Sequence, residues 1–397
     1  MANGISIDDY RWLVGSAGRH WLDTLVSDDR SLVQLTGALR AELSAERTHL
    51  LLEQLSLRKR ALKKFSAAGR LFFTPVGLEQ ATDETVAAYK ADRFPADGAV
   101  WDLCCGIGGD LLSLAGRTTA TGVDRDEIAV VLAKANLAAA LPEPRRYGSQ
   151  VQAGSVAELD LAGAAAWHID PDRRPTGRRT TRVELHEPNA EAIDRLLLQC
   201  EHAAIKLAPA AEVSERWARD AELEWISRGG ECRQLVAWFG RLGQNPGRRR
   251  ATVLAQGHAP SSVLGENDVY VPPARSLGRY LFEADAAVLA ANLNGALAVE
   301  LGLAPVAPNS AYLTGDQPLD HPAAAAFEIT DVLPFDARRL KAIFRDRKVG
   351  RLEVKKRGVP NDPAQVQRQL QSQGDQSATL LLARIAGKVT AIIGRRL

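Results

Sequence analysis

Apolar residues in the first 66 positions recur at three- and four-residue spacing with polar residues between them, the pattern of helices buried on one face. Residues 31–43 and 46–65 show it most regularly, and proline is absent throughout. From residue 72 to about 256 the texture changes to short apolar runs alternating with amphipathic stretches. Runs at 99–101, 120–123, 151–153, 166–169 and 203–207 read as strands, with helices over 111–115 and 127–140. Residues 232–239 and 251–255 read as a closing strand pair. This alternation predicts an α/β fold with a doubly wound, mostly parallel sheet.

A stretch rich in Pro, Gly and Ser, 258–275, reads as a loop, and 285–301 as a helix. The tail reads β-α-β-α-β-β over 326–330, 337–347, 351–355, 363–373, 379–384 and 389–393. Gly387 and Lys388 fall at its last turn. The expected organisation is a helical N-terminal module over 1–70, an α/β domain over 71–257 and a small α+β domain over 276–397.

Composition narrows the class. The chain has 397 residues, 46% hydrophobic and 25% charged, as in ordinary soluble domains. Its four cysteines include an adjacent pair and form no CxxC motif, which excludes a disulfide framework and a zinc ribbon. No metal is expected. The N-terminus lacks the basic and apolar regions of a signal peptide, and no apolar run reaches the roughly 18 residues of a membrane helix. A cytoplasmic protein without a membrane partner is expected. The net charge of +2 hides a partition: from Leu333 onward 15 Lys/Arg stand against 5 Asp/Glu, or +10, leaving −8 for the remainder. A basic tail on an acidic body suits a polyanion, although a solvated cationic surface gives the same count.

The sharpest chemical signal is the run Val100-Trp101-Asp102-Leu103-Cys104-Cys105-Gly106-Ile107-Gly108-Gly109-Asp110, a strand entering a glycine loop. Glycine lets backbone approach a ligand closely or take positive φ. No Gly-Lys-Ser/Thr follows, so a phosphate loop is excluded, and Leu111 stands where a dinucleotide fingerprint needs its last glycine. Asp102, ahead of the glycines, would repel a pyrophosphate and favour a cationic amine or sulfonium. Asp124 ends the next strand, 16 residues beyond Gly108, where a carboxylate accepts hydrogen bonds from two ribose hydroxyls. Together the two acids suit S-adenosylmethionine.

The same residues, continued by Thr121-Gly122-Val123-Asp124-Arg125, resemble motifs I and II of class I S-adenosylmethionine-dependent methyltransferases, closest to the RNA-modifying, trimethylguanosine-synthase-like branch. The resemblance implies a Rossmann-like sheet and cofactor contacts at Asp102, Cys104, Gly106, Gly108, Gly109, Asp124 and Arg125. It makes Phe72-Phe73-Thr74-Pro75-Val76-Gly77-Leu78-Glu79-Gln80-Ala81-Thr82 a segment closing over the cofactor, with contacts at Thr74 and Thr82. Motif III departs from the family pattern: Ser155, in Ala153-Gly154-Ser155-Val156, replaces the acid that meets the adenine amine. The whole chain resembles a bacterial methyltransferase family with a THUMP-like C-terminal domain, through the run from Phe344 to Gly358. Related THUMP domains bind RNA, which implies an RNA partner, tRNA or rRNA, and substrate contacts at Lys355, Lys356 and Arg357.

The fourth strand leads into His168-Ile169-Asp170-Pro171-Asp172-Arg173-Arg174, at the sheet edge where open α/β folds collect their chemistry. Base N-methyltransferases resemble this site, with Asp/Asn-Pro-Pro-aromatic in that position. Asp170 and Pro171 match that motif; Asp172 and Arg173 replace the second proline and the aromatic residue. The candidate catalytic residues are Asp170, Pro171, Asp172 and Arg173, with Asp170 also bordering the cofactor. Arg173 offers a guanidinium for stacking or for an anion. Arg174, Arg178 and Lys206 are candidate substrate contacts, and His168 reads as a packed strand residue. An Asp170–Arg173 ion pair that merely pins the loop is the bland alternative. Three functions fit: methylation of a base in structured RNA, methylation of an anionic small molecule, or a non-catalytic RNA-binding or assembly factor that retains the cofactor site.

Overall fold

The computed structural model describes residues 4–26, 28, 30–141, 148–173 and 180–397. These divide into two compact units, Met1–Ala221 with Val236–Pro246, and Glu222–Leu235 with Gly247–Leu397.

The first unit opens with helices α1 (Ile7–Val14), α2 (Ser16–Val26), α3 (Leu32–Arg40) and α4 (Ala45–Ala61). Ser6, Ser31 and Ser44 cap α1, α3 and α4 by accepting a backbone amide three residues on, and Asp9 and Gln34 complete capping boxes. Leu13, Leu22, Leu50 and Leu57 share one core with Phe72, Phe73, Leu132 and Ala135, so these helices pack onto the α/β layer. Two buried amides fix the connecting segment. Asn136 accepts from the Phe72 amide at 2.7 Å and donates to Phe72 and Ile107 carbonyls, and Gln54 brackets Phe73 in the same way. The basic stretch ending α4 partly turns inward. Arg58 donates to Leu71 O, and Lys64 Nζ donates to the carbonyls of Leu78, Glu79 and Ala81.

Lys64 thereby satisfies the C-terminal carbonyls of α5 (Pro75–Gln80), which precedes α6 (Glu84–Ala91). The sheet follows, with β1 (Val100–Leu103), α7 (Leu111–Arg117), β2 (Ala120–Asp124), α8 (Glu127–Ala140), β3 (Gln150–Ala153), β4 (Ala166–Ile169), α9 (Ala190–Gln199), β5 (Ala203–Leu207) and α10 (Glu215–Asp220). Strands pair in parallel in the order β3-β2-β1-β4-β5. The chain winds outward from β1 to β3 and then returns to β4, so the switch point lies between β1 and β4. That is where open α/β sheets bind ligands. Asp102 and His168 face each other directly in the β1–β4 register.

The second unit contains β6 (Glu222–Arg228), most of β7 (Glu231–Trp238), β8 (Arg249–Leu254) and β9 (Ser261–Gly265). It continues with β10 (Tyr280–Ala284), α11 (Ala286–Ala290), α12 (Asn294–Leu301), β11 (Ala304–Pro305) and β12 (Tyr312–Gly315). The tail comprises β13 (Ala324–Pro334), α13 (Ala337–Asp346), β14 (Val349–Lys356), α14 (Pro363–Leu370), β15 (Gln376–Ile385) and β16 (Lys388–Arg396). Its seven-stranded sheet has the order β11-β12-β10-β13-β16-β15-β14. β15 is buried on both faces: Leu380 and Leu382 join a core with Leu340, Phe344 and Val366, while Leu381 and Ala383 join one with Tyr312 and Phe327.

Four local readings differ from the structure. The strands expected as a closing pair, 232–239 and 251–255, are not neighbours, because β6 lies between β7 and β8. β6 goes unrecognised because Glu222, Glu224 and Ser227 occupy buried strand positions; Arg250 and Thr252 satisfy the two glutamates across the parallel β6–β8 pair. The expected loop at 258–275 contains β9, paired antiparallel with β8. The expected single helix at 285–301 breaks into α11 and α12 around Asn292, whose φ is +55°.

Candidate active site

The glycine loop leaves β1 through three left-handed residues, Cys104, Gly106 and Gly108, with φ of +55°, +54° and +94°. Cys104 carries a side chain in a conformation that L-residues adopt rarely, and such positions cluster at ligand sites. A side chain at Gly109 would come within 3.0 Å of the Thr82 backbone, so its absence lets the segment after α5 pass close to the loop. The Gly106 amide donates to Asp124 Oδ2 at 2.7 Å and the Asp126 amide to Oδ1 at 2.9 Å, fixing the carboxylate at the end of β2.

A chain of polar groups is buried beneath the loop. Asp102 Oδ1 meets His168 Nδ1 at 2.7 Å, and His168 Nε2 lies 3.1 Å from Lys90 Nζ. Lys90 pairs with Asp110 Oδ1 at 2.7 Å, and Thr82 Oγ1 donates to Asp110 Oδ2 at 2.6 Å. Lys90 is 2% and Asp102 1% exposed. Burial pushes the Asp102 carboxyl up, opposed by His168. Asp110 also feels burial, but Lys90, His168 and Lys206 hold it well below the usual carboxylate range. Asp102 Oδ2 has no hydrogen-bond partner among the described residues.

At the end of β4, Lys206 Nζ lies 2.5 Å from Asp170 Oδ2 and 3.5 Å from Gln80 O. Burial works against the Lys206 ammonium, and Asp170 and Asp110 more than offset it, so its pKa lies above the ordinary lysine value. The cation paired with Asp170 is therefore Lys206, and the expected Asp170–Arg173 pairing is not the one formed. Asp172 and Glu187 exchange backbone hydrogen bonds at 2.8 and 3.0 Å, and Arg125 forms an ion pair with the Glu187 side chain.

These features surround a cavity of about 710 Å³. Thr74, Thr82, Asp102, Cys104, Gly106 and Gly109 line it, as do Asp124, Arg125 and Ser155. Asp170, Pro171, Asp172 and Arg173 complete the wall at the end of β4. Gly108 is not in the lining; it faces Ala133 of α8 and serves the turn. Lys206 stands behind Asp170. Lys355, Lys356 and Arg357 belong to the other unit, where Lys355 and Arg357 pair with Glu283 at 2.8 and 3.0 Å. Arg174 and Arg178 lie outside the described residues. Among the described residues no group of three or more His, Cys, Asp or Glu is placed to hold a metal ion, and no helix is long and apolar enough to cross a membrane.

Sequence reasoning missed Lys90 and Asp110 and took His168 as packing alone. The available signal was Lys90, which follows the buried Val86 and Ala87 on the core face of α6, where a charge needs a partner. His168 is packed, and its ring also lines the cavity.

The donor set fits S-adenosylmethionine. The orphaned Asp102 Oδ2 would suit a cationic ammonium, and the fixed Asp124 carboxylate would accept from ribose hydroxyls. Cys104 is no nucleophile: burial first, then Asp124 and Asp170, push its thiol far above the ordinary range. Asp124→Ala is expected to weaken binding of S-adenosylmethionine by about 10²–10⁴-fold, the worth of two hydrogen bonds to a charged acceptor. Calorimetric titration checks this.

Comparison with known proteins agrees. A family model described as THUMP domain-like matches residues 324–396. An uncharacterized S-adenosylmethionine-dependent methyltransferase of Mycobacterium tuberculosis, found in strains CDC 1551 and H37Rv, is 30% identical over 367 residues, covering 87% of this chain and 96% of its own. The crystal structure of a proposed methyltransferase from Porphyromonas gingivalis W83 shares the fold, with a TM-score of 0.78 at 20% identity over 98% of each chain. The chain belongs to the S-adenosylmethionine-dependent methyltransferases, with a class I core and a THUMP-like C-terminal domain.

Proposed function

We propose that this enzyme methylates a base nitrogen in a structured RNA, tRNA or rRNA, in the cytoplasm. The observation that carries the reading is the pairing of an acidic methyl-transfer cavity with a THUMP-like domain bearing unpaired surface cations. S-adenosylmethionine supplies, when bound, an electrophilic methyl group on a sulfonium. The protein's part is to hold the acceptor. Asp170 Oδ2 is engaged by Lys206, while Oδ1 makes no hydrogen bond among the described residues and can accept one from an exocyclic amine. The Pro171 carbonyl offers a second acceptor, and together they orient the nitrogen lone pair. Arg173 stands where related enzymes use an aromatic ring, and its planar guanidinium can stack on the base. Seven carboxylates line the cavity against the two guanidinium groups of Arg125 and Arg173, which disfavours an anionic metabolite as the acceptor.

The basic tail is not uniformly available. Arg347 pairs with Asp331, Arg395 with Glu328, and Lys355 and Arg357 with Glu283. Arg338, Arg339 and Lys341 of α13, with Lys348 and Arg351, are exposed and make no side-chain ion pair among the described residues. They are the better candidates for phosphate contacts. Replacing Arg338, Arg339 and Lys341 by glutamine is expected to weaken RNA binding about 10–100-fold at low salt and to lower the log–log salt slope by about 2–3. Filter binding across a salt series checks this. The function itself is tested by incubating the protein with labelled S-adenosylmethionine and RNA from a strain lacking the gene. Label entering RNA supports the reading; label entering only small molecules contradicts it.

A further inference from the structure

The polar chain beneath the cavity is satisfied at one end and open at the other. Among the described residues Asp110 pairs with Lys90 and accepts from Thr82, whereas Asp102 meets His168 on Oδ1 and has no hydrogen-bond partner on Oδ2. At 3.1 Å only one of Lys90 Nζ and His168 Nε2 can donate to the other, so the two groups share one positive charge, and burial pulls the Lys90 ammonium's pKa down against the pull of Asp110. In either arrangement His168 Nδ1 donates to Asp102 Oδ1. One positive charge remains to balance two buried carboxylates. Other charged and titratable groups face this cluster from each neighbouring element. Lys206 of β5 and Asp170 after β4 act on Lys90, and Cys104, Cys105 and Asp124 approach from the loop and β2. Lys206 and Asp170 neutralise each other. The deficit of one positive charge therefore falls at Asp102, a residue of the cavity lining whose buried Oδ2 has no hydrogen-bond partner among the described residues.

We propose that Lys90 and His168 are positioning residues that present Asp102 to the α-ammonium end of the cofactor, and that this ammonium displaces a proton from Asp102 when it binds. The inference rests on S-adenosylmethionine occupying the cavity. In the free protein the buried carboxyl carries a proton on Oδ2, in keeping with its raised pKa. On binding, the O–H bond breaks and the proton leaves to solvent. The carboxylate keeps the electron pair and accepts a hydrogen bond from the ammonium, so charge and atoms balance. Binding then releases protons, and affinity rises with pH across the window in which the free carboxyl is protonated, by up to about tenfold per pH unit.

The test is calorimetry on the whole protein with S-adenosylhomocysteine, which retains the ammonium, and 5′-methylthioadenosine, which lacks it. Each is titrated in buffers of different ionisation enthalpy at several pH values. The expected result is release of up to one proton with S-adenosylhomocysteine and none with methylthioadenosine. In the His168→Leu variant, which offers Asp102 no donor, the affinity–pH profile of S-adenosylhomocysteine is expected to move to higher pH; a packing role would leave the profile in place. Binding of S-adenosylhomocysteine with no proton release at any pH, or equal release with both ligands, overturns the proposal. Failure of S-adenosylhomocysteine to bind at all contradicts the cofactor assignment instead. The wild-type series decides the matter even if the variant does not fold.

Discussion

Replacing Asp170 with alanine is expected to lower methyl transfer by about 10²–10⁴-fold while S-adenosylhomocysteine still binds within about threefold of wild type. The carboxylate lies at the end of β4, on the cavity wall across the β1–β4 switch point from the glycine loop. Lys206 holds one of its oxygens and leaves the other for the acceptor. Removing the side chain takes away the acceptor's hydrogen bond without touching Asp124, the glycine loop or Asp102. The Lys206 ammonium is left 9% exposed with a long contact to Gln80 O. Some loss of stability follows, discounted because Asp170 itself is 27% exposed. Asp170→Asn keeps an acceptor oxygen and is expected to recover part of the lost rate. Single-turnover kinetics and a cofactor titration on the same preparations separate the two effects. Turnover undiminished in the alanine variant would remove Asp170 from the chemistry and favour a non-catalytic role for this corner.

Replacing Asp102 with alanine is expected to do damage of a different kind. Here the carboxylate is fully buried, and its loss leaves His168 Nδ1 without an acceptor and the charged Lys90–Asp110 pair beside a void. Breaking a buried charged network of this sort costs about 3–5 kcal/mol. In a unit of this size that lowers the melting temperature by roughly 10 °C. If Asp102 receives the ammonium as proposed, cofactor affinity falls by at least about 10–100-fold. Asp102→Asn preserves shape and most of the stability but not the charge, so its binding defect should persist while its melting temperature recovers. A melting curve and a titration on both variants check the pair of effects. Normal affinity in a stable Asn variant would show that the orphaned oxygen receives nothing.

The glycine loop and its two flanking carboxylates were legible in the sequence because backbone chemistry restricts them. Positive φ at Gly106 and Gly108, a carboxylate closing β1 and another closing β2 leave few alternative ligands. The tail was legible because its helices each bury one apolar face and its strands carry short apolar runs, between Ala324 and Arg396. What stayed hidden depends on partners distant along the chain. Lys90 and Asp110 acquire meaning only when α6 and the glycine loop meet beneath β4. Glu222 and Glu224 mask β6 because Arg250 and Thr252, 28 residues away, supply what their carboxylates need. The run Lys355-Lys356-Arg357 looked like a grip for phosphate, yet Glu283 on a separate strand takes two of its three charges. Charge along a sequence locates cations; only the fold shows which of them are already paired.

The most direct measurement is mass spectrometry of nucleosides from purified tRNA and rRNA of strains with and without this gene, and of a strain carrying Asp170→Ala. The expected result is one methylated nucleoside, bearing its methyl group on a base nitrogen, that is present in wild type, absent from the deletion and not restored by the variant. Identical nucleoside profiles in all three strains would contradict methylation of RNA by this enzyme.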